Sequence, residues 1–204
     1  MVPLVPLVEF FLADSFMYIR TRGIVLNHLK YGETSLIVRV FTEHSGLQSF
    51  IIKGYRSSKN KGKLSLFQPL SLIEIDLPEH SKTELLNFKD ARALYHYSDT
   101  SKTIEKHSIF VFLSEILSKI LCASQAENEL FEFVYNALIS LDKTTESCNK
   151  FHLVFLNELT DYLGIRPIDN KPLSNLPAIL EYYGQHIPNF LPIKSHVVLH
   201  EVLR

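Results

Sequence analysis

The sequence predicts an α+β protein in which a small five-stranded barrel comes first and an α-helical bundle follows. Residues 18–90 hold short, β-branched, alternating runs separated by glycine-bearing turns, the pattern of strands. From about residue 100 the apolar spacing changes to three and four, which is a helical period. Charge divides the chain as well. Met17–Lys63 carries nine cations and two acids, a net +7, whereas residues 64–204 carry 12 cations and 18 acids, a net −6. Such asymmetry suggests a polyanion-binding half joined to a half with another task. The alternative is a solvated basic face.

The strands are expected at Ile19–Leu29, Thr34–Thr42, Leu47–Lys53, Leu70–Leu77 and Glu84–Lys89. Their alternation places Ile37 and Ile51 on the buried face. Five short strands in about 75 residues match the strand count of the OB-fold, with an SH3-like barrel as the alternative. Three amphipathic stripes then predict helices. The first holds Ile109, Leu113, Ile116, Leu117, Ile120 and Leu121. The second holds Leu130, Val134, Ala137, Leu138 and Leu141, and the third Phe151, Phe155, Leu159 and Tyr162. Gly164 and Pro167 stop the third. Residues 165–178 read as a linker, and Leu180–Tyr183 and His196–Leu203 as two further helical pieces. The domains are expected at 17–95 for the barrel and 96–204 for the helices.

The 204 residues are 46% hydrophobic and 21% charged. That excludes a disordered chain, a coiled coil and a collagen-like fibre. Residues 1–16 are apolar, but Pro3 and Pro6 break any helix and no cation precedes them. They suit neither a secretory signal nor a membrane span and are expected to be a disordered extension. The expected address is the cytoplasm, at the nucleoid. Two cysteines, Cys122 and Cys148, cannot build a disulfide framework or a four-cysteine zinc site. Both are expected to be free thiols.

The most informative stretch is the loop Lys53–Lys63, with five cations, two glycines and no acid. Flexible cations of this kind can track a phosphate backbone, and Tyr55 offers a ring for a base. A solvated hairpin loop is the competing reading. The residues expected to contact DNA are Arg20, Arg22, Arg39, Lys53, Tyr55, Arg56, Lys59, Lys61 and Lys63. His196 and His200 are four apart, but the acid, Glu201, lies outside the pair rather than within it as a zinc-protease motif requires. No metal, cofactor or catalytic residue is expected. Phosphate-binding loops, dinucleotide fingerprints and nucleophile elbows are absent from the sequence, so the chain is not expected to be an enzyme.

Thr21–Lys61 carries a family likeness: TRGIVL, then Tyr31-Gly32-Glu33 before a strand, then FTEHSG, then Lys53-Gly54 with Arg56 and Ser58-Lys59. These pieces, in this order and spacing, resemble the amino-terminal domain of the RecO family of bacterial recombination mediators. Leu66–Leu77 resembles the family's next strand, and Leu159–Pro167 its helical half. Leu180–Phe190 and Ile193–Leu203 resemble the closing segment of Bacteroidetes-like members. The resemblance implies an OB-fold followed by a helical domain. It also implies binding of single- and double-stranded DNA, strand annealing, and help in loading the recombinase onto strands coated by single-strand-binding protein. RecR is the implied partner, together with the acidic carboxyl-terminal tail of single-strand-binding protein. The tail is expected to dock beside Phe112, off the main apolar stripe, with Lys106 or Lys119 meeting its carboxylate. Some members carry a four-cysteine zinc module, for which this chain lacks the cysteines. The stretch between Asn170 and Leu180 is shorter than the family's, so a segment is expected to be missing there. Two other functions fit the bare residues: a protein-interaction adaptor, or an RNA-binding OB protein.

Overall fold

The computed structural model describes residues 17–55, 61–78, 85–98, 103–121 and 127–203. Side chains 61–63 lie outside that description, as do Arg56, Lys59, Cys122 and the first 16 residues.

Six strands form one sheet in the order β5-β3-β2-β1-β4-β6. The long strand β1 (Tyr18–Tyr31) runs antiparallel to both β2 (Ser35–Thr42) and β4 (Leu72–Pro78). A bulge between Val25 and Asn27 shifts its register against β2; an extra residue bends and twists the strand that carries it. Near the bend, Gly23 allows a close approach: a Cβ there would lie 2.6 Å from Val40 Cγ1. β3 (Gly46–Lys53) pairs antiparallel with β2 and, in part, parallel with β5 (Leu85–Leu86). β4 pairs with β6 (Ala91–Ala93). The sheet's two outermost strands, β5 and β6, are thus neighbours in sequence. The run from 85 to 93 bridges both edges, helped by Asp76 N–H donating to Asp90 O (3.0 Å), and closes the barrel. The expected fifth strand is therefore two short pieces. A 3₁₀ helix, Lys61–Phe67, lies between β3 and β4.

The barrel interior holds Val25, Leu36, Val38, Val40, Phe50, Ile52, Phe67, Ile73, Ile75 and Leu77. The expected strand phase is corrected here. Leu36, Val38 and Val40 are buried, as are Phe50 and Ile52, while Ile37 and Ile51 are only half-buried on the opposite, outer face. Both faces of β2 and β3 are apolar at this point, so alternation alone does not choose between them.

Five helices follow: α1 (Ile104–Ile120), α2 (Asn128–Lys143), α3 (Phe151–Tyr162), α4 (Leu176–His186) and α5 (His196–Val202). The end of α3 is set as its residues imply. Gly164 takes φ 66°; Ile165 N–H donates to Thr160 O (3.0 Å) and Gly164 N–H to Asp161 O (3.1 Å), a Schellman closure. Asn175 caps α4 by accepting from Ala178 N–H at 3.0 Å. The helical core is shared with the barrel: Ile24, Leu26, Phe41 and Leu72 from the outer face of the sheet pack in one cluster with the buried residues of α1–α5. Ser118 Oγ of α1 donates to Leu26 O at 3.0 Å, and Phe41 meets Phe131 of α2 with ring centroids 5.9 Å apart. Cys148 is a buried free thiol. No helix among the described residues is long and apolar enough to cross a membrane.

Candidate nucleic-acid interface

The register of β1, β2 and β3 lays out the outer face of the barrel row by row. Interior positions 36, 38 and 40 alternate with 35, 37 and 39, which therefore point outward. The first outward row is Tyr31–Ser35–Lys53, the second Leu29–Ile37–Ile51, and the third Asn27–Arg39–Ser49. The next, Ile24–Phe41–Leu47, passes under the helices. The first two rows form an open face: Leu29 is 60% exposed and Tyr31 56%. Lys30 and Lys53 are exposed at the same end. Arg39 is half-buried in the middle of the sheet.

The cationic loop leaves the barrel at this end too. Tyr55 N–H donates to Thr34 O at 3.0 Å, which ties the start of the loop to the β1–β2 turn. Tyr55 itself is half-buried and packs against the barrel-interior cluster, so its ring is largely committed to the fold. Arg56 and Lys59 lie outside the described residues. The backbone of Lys61 and Lys63 forms the start of the 3₁₀ helix.

Arg20 and Arg22 lie elsewhere. Arg20 Nε donates to Asp76 Oδ1 at 2.8 Å and approaches Glu74 at 3.6 Å, and its hydrogen bond and charge hold the Asp76 carboxyl below its ordinary range. Arg22 forks onto Glu43 of the β2–β3 turn at 2.8 and 2.7 Å and also binds Glu132 of α2. Its guanidinium lies 5.3 Å from the Phe131 ring centre and 5.1 Å from that of Tyr135. This arginine fastens the barrel to the helices; it is not part of the open face. Arg22 is among the residues expected to contact DNA; its partners in this joint are remote in sequence, so charge counting could not show them.

The expected tail-docking group is also corrected. Phe112 is fully buried, edge-on to His152 with centroids 6.0 Å apart, because α3 covers the side of α1 that the single stripe left unassigned. Lys106 is buried, and its Nζ donates to Asp142 O (2.9 Å) and Thr144 O (2.7 Å) at the carboxyl end of α2, where a cation complements the helix dipole. Lys119 Nζ donates to Phe190 O (2.7 Å) and Pro192 O (2.8 Å). One turn earlier, Glu115 accepts from Lys194 N–H, Ser195 N–H and Ser195 Oγ at 2.6–3.0 Å. Burial pushes the Glu115 carboxyl up, but these bonds and Lys119 outweigh it and leave it below its ordinary value. Glu115 and Lys119 together clamp the closing segment onto α1.

Among the described residues, no group of three or more His, Cys, Asp or Glu side chains is placed to hold a metal ion. His196 Nδ1 is engaged with Ile193 O.

A closed barrel with one open, cation-edged outer face, joined through a shared core to a helical bundle, defines an OB-barrel protein with a helical second half. Residues 17–97 match the family Recombination protein O N terminal, and residues 101–171 match Recombination protein O C terminal. The DNA repair protein RecO of Flavobacterium johnsoniae is 38% identical over 152 residues, 74% of this chain and 64% of the relative. That of Bacteroides fragilis is 37% identical over 148 residues, 72% and 61%. That of Christiangramia forsetii is 34% identical over 164 residues, 78% and 68%. The chain belongs to the RecO family. It spans a little under two thirds of the Flavobacterium johnsoniae relative's length, 64%.

Proposed function

We propose that this chain is a non-enzymatic DNA-binding recombination mediator in DNA repair, acting in the cytoplasm at the nucleoid. In this reading the barrel holds single- and double-stranded DNA, promotes annealing, and helps load the recombinase onto strands coated by single-strand-binding protein, with RecR as partner. The observation that carries it is the open barrel face, with Lys53 in its first outward row, Lys30 exposed at the same end of the barrel, and the start of the cationic loop beside them. OB-folds bind oligonucleotides on the face of strands 2 and 3 and on the neighbouring loops, and cations there release counterions from phosphates. Family membership across both halves of the chain supports the same reading.

With Phe112 buried, the tail of single-strand-binding protein needs another seat. A cavity of about 360 Å³ beside α3 has Leu153 and Val154 as an apolar wall, with Lys150, Arg166 and Lys171 but also Glu158 and Asp161 around it, and Arg166 is paired with Asp161 at 3.2 Å. An acidic tail ending in an apolar residue needs an apolar wall beside a cation, a role that falls to Lys150 here.

The test is a titration of labelled single-stranded DNA at two salt concentrations. Affinity that falls steeply with salt supports DNA binding through phosphates. Salt-independent or absent binding leaves the adaptor reading, and preference for an RNA of the same sequence leaves the RNA-binding one.

A further inference from the structure

Residues 2–8 read VPLVPLV, a proline-x-x-proline run without charge; the acids of this end, Glu9 and Asp14, lie beyond it. A polyproline II helix turns once in three residues and rises about 3.1 Å per residue, which sets Pro3 and Pro6 on one face about 9 Å apart. Such runs dock in aromatic-lined grooves, because little conformational freedom is left to lose. The helical half has a groove of that kind between α2 and α3, with a volume of about 300 Å³. Phe155 is buried in its floor, Phe133 and Phe151 are half-buried in its walls, and Val154 is 53% exposed at its edge. The rings form a ladder: Phe151 to Phe155 at 6.3 Å, Phe155 to Phe133 at 5.1 Å and Phe133 to Tyr162 at 4.5 Å, each pair within 20° of parallel. Asn136 and Ser140 stand exposed on the rim, where they can donate to carbonyls that a polyproline helix leaves unpaired.

We propose that residues 2–7 dock in the α2–α3 groove of the same chain, with Pro3 and Pro6 against the phenylalanine ladder. The place where the chain enters the barrel supports this occupant. Arg22 of β1 binds Glu132 of α2, and Asn136 on the groove rim donates to the same carboxylate at 3.4 Å. From Arg22 back to Leu7 the chain can extend to about 50 Å, whereas Asn136 lies one helical turn, about 6 Å, from Glu132. A tether of this length supplies an effective concentration in the millimolar range, so a contact that is weak between separate molecules is filled within one. Glu158, exposed on the rim, opposes an acidic occupant and tolerates an uncharged run.

The chain has no tryptophan, so Leu4→Trp and, separately, Phe151→Trp each supply a lone indole, one on the run and one in the groove. In the full chain, acrylamide should quench the Leu4→Trp indole at most about half as strongly as it quenches a free peptide of residues 1–16 with the same substitution, because a millimolar effective concentration at least half-fills a groove of millimolar affinity. That protection should be independent of protein concentration. Val154→Glu, at an exposed wall position, should abolish it while the circular dichroism spectrum stays unchanged. Pro3→Ser together with Pro6→Ser should abolish it too, and the same pair should make the Phe151→Trp indole more accessible to acrylamide. Peptide-like quenching of Leu4→Trp in the full chain overturns the proposal. Protection that survives Val154→Glu places the segment on another surface, and protection that survives loss of both prolines removes the polyproline mode; either result overturns it. Protection that falls on dilution means that the segment fills the groove of a second copy, which overturns docking within one chain.

Discussion

Arg22 on β1 binds Glu132 on α2, 110 residues away in sequence, while forking onto Glu43 of its own barrel. The guanidinium also lies over Phe131 and Tyr135, so one side chain joins the sheet, a hairpin turn and a helix. Its hydrogen bonds hold the Glu43 carboxyl below the usual range. Arg22→Ala is expected to cost about 1–3 kcal/mol, the scale of charge-assisted hydrogen bonds. Urea denaturation measures it. The salt slope of DNA binding should not change, which separates this arginine from the cations proposed to meet phosphates.

Those cations have their own test. Replacing Lys59, Lys61 and Lys63 together with Ala should weaken binding to all sequences alike and flatten the salt slope by up to about three, near one per lost phosphate contact. An unchanged slope would mean that the loop is a solvated hairpin.

The strand phase predicts a contrast between neighbours. Phe50 is fully buried in the barrel interior, and Phe50→Ala should cost about 3–5 kcal/mol. Ile51, on the outer face, should cost only about 1 kcal/mol as Ala. Equal costs in chemical denaturation would contradict the observed pleat.

His152 links acid stability to packing. The ring sits between α3 and Phe112 with Nδ1 unpartnered, and burial lowers its pKa from 6.5 to about 4. The unfolded chain takes up this proton below pH 6.5, whereas the folded chain resists it until about pH 4. The neutral ring's contribution is thus fully present above pH 6.5 and is lost as pH falls toward 4, by up to roughly 3 kcal/mol. Thermal melts of wild type and His152→Phe between pH 7 and 4 should show a shallower pH dependence in the variant.

Lys106 is predicted to matter for folding. Removing its ammonium leaves the Asp142 and Thr144 carbonyls without this donor. Lys106→Ala should cost about 2–3 kcal/mol, visible as a lowered denaturation midpoint.

The sequence by itself determined where strands stop and helices begin, because β-branched alternation and helical spacing are local properties of a few adjacent residues. Four of the strands and all five helices lie within a few residues of their expected positions. The Gly164 stop was equally legible. Tertiary structure decided which faces are inside. Ile37 and Ile51 are as apolar as Leu36 and Ile52, and only the curvature of the closed barrel chooses between them. Phe112 looked free until α3 packed on it. Likewise, Arg20, Arg22, Lys106 and Lys119 looked like available charge until distant acids and carbonyls claimed them. Local pattern shows what a segment can form. Which of its charges remain open to a ligand depends on partners many residues away, and folding alone brings those together.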